Sequence, residues 1–187
     1  MKDFDFIASI IHNRYLCKGN ERLLMIEDKE STGKEQQLVR ISFNERQIDR
    51  INLYRFDSET NKFLLFFNDG DNAPKGLNKF CDYIIMVERD DVLSVVLVEL
   101  KRGGTDGHEQ QLEAGRLFMK YILKTAERIK DLNKQELNIE SVELRQVLIQ
   151  PARSNKELTK RKDIELLDKN SVMKCRCFNE FRLIEYL

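Results

Sequence analysis

The spacing of apolar residues divides the chain into a mixed series of helices and strands. Phe4, Ile7, Ile10 or Ile11 and Tyr15 recur at helical intervals and predict a short helix over residues 1–16. The apolar pieces RLLMIED and QLVRISF, parted by the polar KESTGKEQ, predict a hairpin with a long loop. Asn44-Glu45-Arg46-Gln47 has the form of a capping box, and Ile48, Ile51 and Leu53 predict an amphipathic helix after it. KFLLFF (62–67) reads as a buried strand, and NDGDNAPKG supplies loop chemistry behind it.

Residues 81–101, CDYIIMVERDDVLSVVLVELK, read as two strands joined at VERDD. A turn centred on Asp90-Asp91 makes paired residue numbers sum to 181, which sets Asp82 opposite Glu99. Nearly every position from Val92 to Leu100 is apolar, odd and even alike, so this strand should be covered on both faces. A helix should follow, with Asp106 as N-cap and Glu109 three positions on, running to about Ile129 with Gln111, Gly115, Phe118 and Ile122 inward. NKQELN reads as a linker, VELRQVLIQ (142–150) as a strand ended by Pro151, and SVMKCRCF and FRLIEYL as two closing strands. The order helix, strand, strand, strand, helix, strand predicts an α/β domain whose central mixed β-sheet is flanked by helices, a single domain over residues 1–187.

Composition narrows the class. Thirty-two basic and 32 acidic side chains cancel, so global charge gives nucleic-acid binding no support and any basic surface must be local. No apolar stretch approaches the roughly 20 residues that span a bilayer, MKDFDFIASII lacks the form of a signal peptide, and no membrane association is expected. Cys17, Cys81, Cys175 and Cys177 have no disulfide spacing, and Cys175-Arg176-Cys177 is at most half a zinc site. A reduced, cytoplasmic protein is the expectation.

The candidate chemistry sits where the greasy strand ends. Asp82, Glu99 and Lys101 should share one patch of sheet, because facing residues and residues two apart lie on the same face. Two facing carboxylates in a partly buried place repel each other unless a cation stands between them. Oxygen-only ligation by Asp82 and Glu99 suits Mg2+ or Mn2+. Such an ion would polarise a phosphoryl oxygen, with Lys101 positioning or deprotonating water or steadying negative charge. Against this stands the ordinary alternative, an ion pair at a strand end.

With these residues the chain resembles the PD-(D/E)XK nuclease superfamily, whose restriction-endonuclease-like fold has an acid, a strand hairpin and then (D/E)-x-K. Asp82 and Glu99-Leu100-Lys101 match that pattern, with Cys81 where the name has proline. The resemblance covers about residues 44–150 and leaves an N-terminal helix and hairpin and C-terminal strands as extensions. It implies a metal-dependent endo- or exonuclease with Asp82, Glu99, Lys101 and Gln111 as catalytic residues, acting on nucleic acid, DNA ahead of RNA with RNA left open, in defence or repair. It also implies a choice between Gln110 and Gln111 for the helix glutamine, and a trial role for Glu45 as a metal ligand. A rival is a nuclease-fold binding or regulatory subunit that acts with a homodimer partner or another protein. Weaker candidates are Arg102-Gly103-Gly104 as a phosphate loop, the basic residues Lys156, Lys160, Arg161 and Lys162, and His108, which reads as a surface histidine of the cap region.

Overall fold

The computed structural model describes residues 2–18, 24–26, 38–43, 46–56, 80–101, 107–133, 137–151, 165–167, 172–177 and 180–187. The first helix, α1 (Asp3–Ile10), is shorter than the apolar spacing predicts. Asp3 and Asp5 occupy its first turn, where negative charge suits the helix dipole, while Phe4 and Ile7 are buried. The chain then tightens into a 3-10 turn, Asn13–Tyr15, whose Arg14 amide donates to His12 Nδ1. Strands β1 (Leu24–Ile26) and β2 (Leu38–Ser42) form the expected antiparallel hairpin.

Residues 50–55 overturn an expectation. The helix read through Ile48, Ile51 and Leu53 is instead a strand, β3 (Arg50–Arg55). Ile51 and Leu53 turn to one core and Tyr54 and Phe56 to the other, so the period is two and the helical spacing of Ile48 and Ile51 is coincidental. The cap residues Asn44 and Glu45, and the strand expected at 62–67, lie outside the described residues.

Strands β4 (Tyr83–Arg89) and β5 (Val92–Leu100) pair from Tyr83↔Val98 to Arg89↔Val92, the register that sums to 181. Asp90 and Asp91 have φ of 50° and 59°, the left-handed pair of a two-residue type I′ turn. Helix α2 (His108–Leu132) carries the chain to β6 (Glu143–Pro151), which lies parallel to β5. Its N-cap is Gly107, at φ +78°, rather than Asp106, and it runs one residue short of Asn133 instead of ending near Ile129. Beyond it come β7 (Glu165–Leu167), β8 (Val172–Cys177) and β9 (Glu180–Arg182). FRLIEYL is thus only partly strand, its remainder forming the 3-10 turn Leu183–Tyr186.

The described strands form a six-stranded sheet in the order β3-β4-β5-β6-β8-β7 and a three-stranded sheet, β1-β2-β9, in which β9 runs parallel to β2. The large sheet is mixed, since β3-β4-β5 are antiparallel and β5-β6-β8 parallel. On one face α1 and α2 cover Ile84, Met86, Val95, Leu97 and Leu148. On the other, Met25, Val39, Ile41 and Phe181 of the small sheet cover Ile85, Val96, Val98 and Ile149. Strand β5 is therefore buried on both faces, as its unbroken apolar run requires. Among the described residues helices back one face, and the cover of the second is a sheet. No described helix is long and apolar enough to cross a membrane.

Candidate active site at the end of strand β5

Alternation along β5 decides which way the charged residues point. Leu93, Val95 and Leu97 belong to the core under α2, so Glu99 and Lys101 continue on that face. Ile84 and Met86 of β4 share that core, and Asp82, two residues before Ile84, follows them. Asp82 lies one step beyond the Tyr83↔Val98 pair and so stands opposite Glu99.

Its carboxylate also tightens the start of the hairpin: Oδ2 accepts a hydrogen bond from the Leu100 amide at 2.7 Å. Glu99 has 0% exposure, and its Oε1 is 2.9 Å from Lys101 Nζ. Lys101 Nζ also donates to Gln111 Oε1 at 3.0 Å, and Gln111 Nε2 donates to the Phe80 carbonyl at 3.3 Å. A chain of contacts thus runs from the buried carboxylate through the ammonium and amide to the backbone beside Cys81 and Asp82. The amide carbonyl accepts a hydrogen bond from one of the ammonium's N–H groups, which fixes Lys101 in one direction. Of the adjacent pair, Gln110 is exposed and Gln111 is buried.

Gly115, one turn beyond Gln111, lets α2 come close. A Cβ there would stand 2.5 Å from Cys81 Sγ. His108 is a correction: it is 5% exposed, on the inner stripe three residues before Gln111, and not a surface histidine. The i, i+3 spacing was the available signal for its burial.

No family model, curated protein or solved structure matches the chain. The chemistry of the site rests on these side chains themselves. Asp82 and Glu99 offer oxygen donors alone, the type of ligand that a hard divalent cation takes. They are two, and among the described residues no group of three or more His, Cys, Asp or Glu stands together where it could hold a metal ion. Such a pair fits an ion that completes its shell with water and substrate oxygens. Cys175 and Cys177 are buried in β8 beside Phe181 and Tyr186 in the opposite core. Glu45, Arg102, Gly103, Gly104, Lys156, Lys160, Arg161 and Lys162 lie outside the described residues.

Proposed function

We propose that this chain is a metal-dependent nuclease of the restriction-endonuclease-like kind, hydrolysing phosphodiester bonds in nucleic acid, DNA before RNA. The observation that carries the proposal is the hairpin register: it sets Asp82 opposite Glu99, with Lys101 on the same face and 2.9 Å from the Glu99 carboxylate. Element order supports it, since α1 is followed by three antiparallel strands, a helix and a parallel strand. The helix and first strand of that series are α1 and β3, with the β1–β2 hairpin between them, and β3 stands where a helix through Ile48, Ile51 and Leu53 was expected.

Asp82 and Glu99 would hold Mg2+ or Mn2+, which supplies Lewis acidity toward a phosphoryl oxygen and a more acidic water. Lys101 carries a positive charge where negative charge develops on phosphate, and it is a donor to an attacking water. Gln111 keeps that ammonium aimed by accepting a hydrogen bond from it. The near-zero net charge of the chain suits a protein that grips its substrate with a second copy of itself or with another chain.

A second reading has its own support. Lys101 already neutralises Glu99, and Asp82 already holds the Leu100 amide, so the three could be an ion-pair network that closes the hairpin. Cleavage of single- and double-stranded DNA and of RNA with Mg2+ or Mn2+ separates the two. The nuclease predicts metal-dependent cutting that Glu99→Ala and Lys101→Ala each lower by about a hundredfold or more. If the wild type cuts nothing, a Mn2+-induced rise in melting temperature that Glu99→Ala abolishes indicates a competent site that works within a complex. Absence of any rise supports the network.

A further inference from the structure

The parallel pairing of β5, β6 and β8 extends the site sideways. Lys101 donates its amide to the Ile149 carbonyl at 2.9 Å, so the ladder continues past Leu100↔Ile149 and brings Gln150 beside Lys101. Gln150 in turn pairs with Arg176 on β8. One turn of the pleat earlier, Leu148 stands between Glu99 and Lys174. Leu148 and Val172 belong to the core under the helices, so Gln150, Lys174 and Arg176 share the face of Asp82, Glu99 and Lys101. All three are half-buried. Helix α2 packs on β5 and β6, and β8 lies one strand beyond.

Charge therefore changes in order across the sheet: carboxylates just before β4 and in β5, an ammonium just after β5, an amide on β6, and an ammonium and a guanidinium on β8. Neighbouring strands lie about 4.8 Å apart, which places Arg176 about 10 Å from Lys101. An arginine presents a planar fork matched to phosphate oxygens, and a glutamine amide beside it adds an uncharged donor. In a chain whose 32 cations and 32 anions cancel, this row sets three cations and an amide in register beside the acid pair, with Glu165 of β7 paired opposite Lys174 at its far side.

We infer that the Lys101–Gln150–Arg176 row, with Lys174 at its side, is a track for the phosphodiester backbone of the nucleic-acid substrate. The inference rests on the nuclease reading and adds where the strand lies: the reacting phosphate at Lys101, and its neighbours over β6 and β8. Gln150 and Arg176 are positioning residues, which hold the backbone without touching the reacting atoms.

The test is fluorescence anisotropy with short single- and double-stranded DNA and with RNA of the same sequence, in Ca2+, at several salt concentrations. Cleavage by the same proteins is followed in parallel in Mg2+ or Mn2+. Arg176→Met keeps the apolar stem and removes the charge; Gln150→Glu brings a carboxylate to the row and serves alone if the first variant is unfolded. Arg145→Ala is the control, because Arg145 pairs with Glu143 near the opposite end of β6 and faces the other side of the sheet. Loss of one ionic phosphate contact should weaken binding about tenfold and flatten the salt slope by about one in Arg176→Met. Gln150→Glu should weaken binding comparably, and Arg145→Ala should leave both quantities unchanged. The nucleic acid whose binding responds is the one the track fits. If the wild type cuts while Arg176→Met and Gln150→Glu bind like Arg145→Ala, the track is wrong and the nuclease stands. If the wild type cuts nothing, shows no Mn2+-induced rise in melting temperature, and yet the row variants lose affinity as described, the track stands and the catalytic reading falls. A wild type that binds no nucleic acid overturns the track, and one that also neither cuts nor gains stability from Mn2+ overturns both.

Discussion

Glu99 has no exposed surface, and an ammonium stands 2.9 Å from one of its oxygens. Removing the ammonium leaves a carboxylate stripped of water with its nearest compensation gone, a situation that costs about 3–5 kcal/mol when both partners are buried. Lys101 is about a quarter exposed, so its loss in Lys101→Met should cost less, about 2–3 kcal/mol in metal-free protein. Neutralising the orphaned carboxylate as well should recover most of that loss. Urea unfolding at pH 7 should therefore rank the Glu99→Gln/Lys101→Met protein above Lys101→Met alone. Equal stabilities would mean that Glu99 is not a desolvated charge. These residues were legible in the sequence because a two-residue turn fixes the hairpin register, and register fixes which residues face each other. The burial of His108 was less legible, since it depends on where Gly107 starts the helix.

At the scale of elements, the contact that matters most for the site is the approach of α2 to the start of β4. Alanine is ordinarily favoured over glycine inside a helix by about 1 kcal/mol. At position 115 the added methyl would meet Cys81 Sγ at 2.5 Å, with Leu97 Cδ2 also near at 3.6 Å. Cys81 is fully buried, and its thiol donates to the Tyr83 carbonyl, so the sulfur has nowhere cheap to go. Gly115→Ala should destabilise by about 1–3 kcal/mol, against its helix propensity. Cys81→Ala in the same chain should relieve most of this, which thermal melts of the single and double variants would reveal. A Gly115→Ala protein as stable as the wild type would mean that the helix and strand are not held so close. Periodicity placed Gly115 inward, but no pattern announces how near two backbones pass. The same limit explains β3: Ile48 and Ile51 fit a helical stripe, and the strand wins because Ile51/Leu53 and Tyr54/Phe56 each find a separate core to enter.

Those two cores belong to the molecule as a whole. The run Val92–Leu100 announced that β5 is covered twice, yet nothing local says by what. The second cover is a small sheet made by both ends of the chain, Arg40 of β2 pairing with Glu180 of β9. A parallel pair between residues so far apart leaves no short-range signal. Tyr186 closes this layer, packed 4.9 Å from the Phe181 ring and hydrogen-bonded with Cys175. Burial first, and then the neighbouring Cys175 and the charge of Glu185, hold its hydroxyl well above the usual phenol range. In the unfolded chain the same group ionises near pH 10. Below that value both states keep the proton and Tyr186 contributes no pH dependence. Above it the unfolded state loses the proton while the folded state retains it, so stability falls by about 1.4 kcal/mol for each further pH unit. Tyr54, also raised by burial, adds a slope of the same sign. Urea midpoints taken from pH 9 to 11 should therefore drop more steeply for the wild type than for Tyr186→Phe, the two curves converging as pH rises. Parallel curves would mean that the hydroxyl ionises as easily folded as unfolded, and that the layer joining the two ends of the chain is open to water.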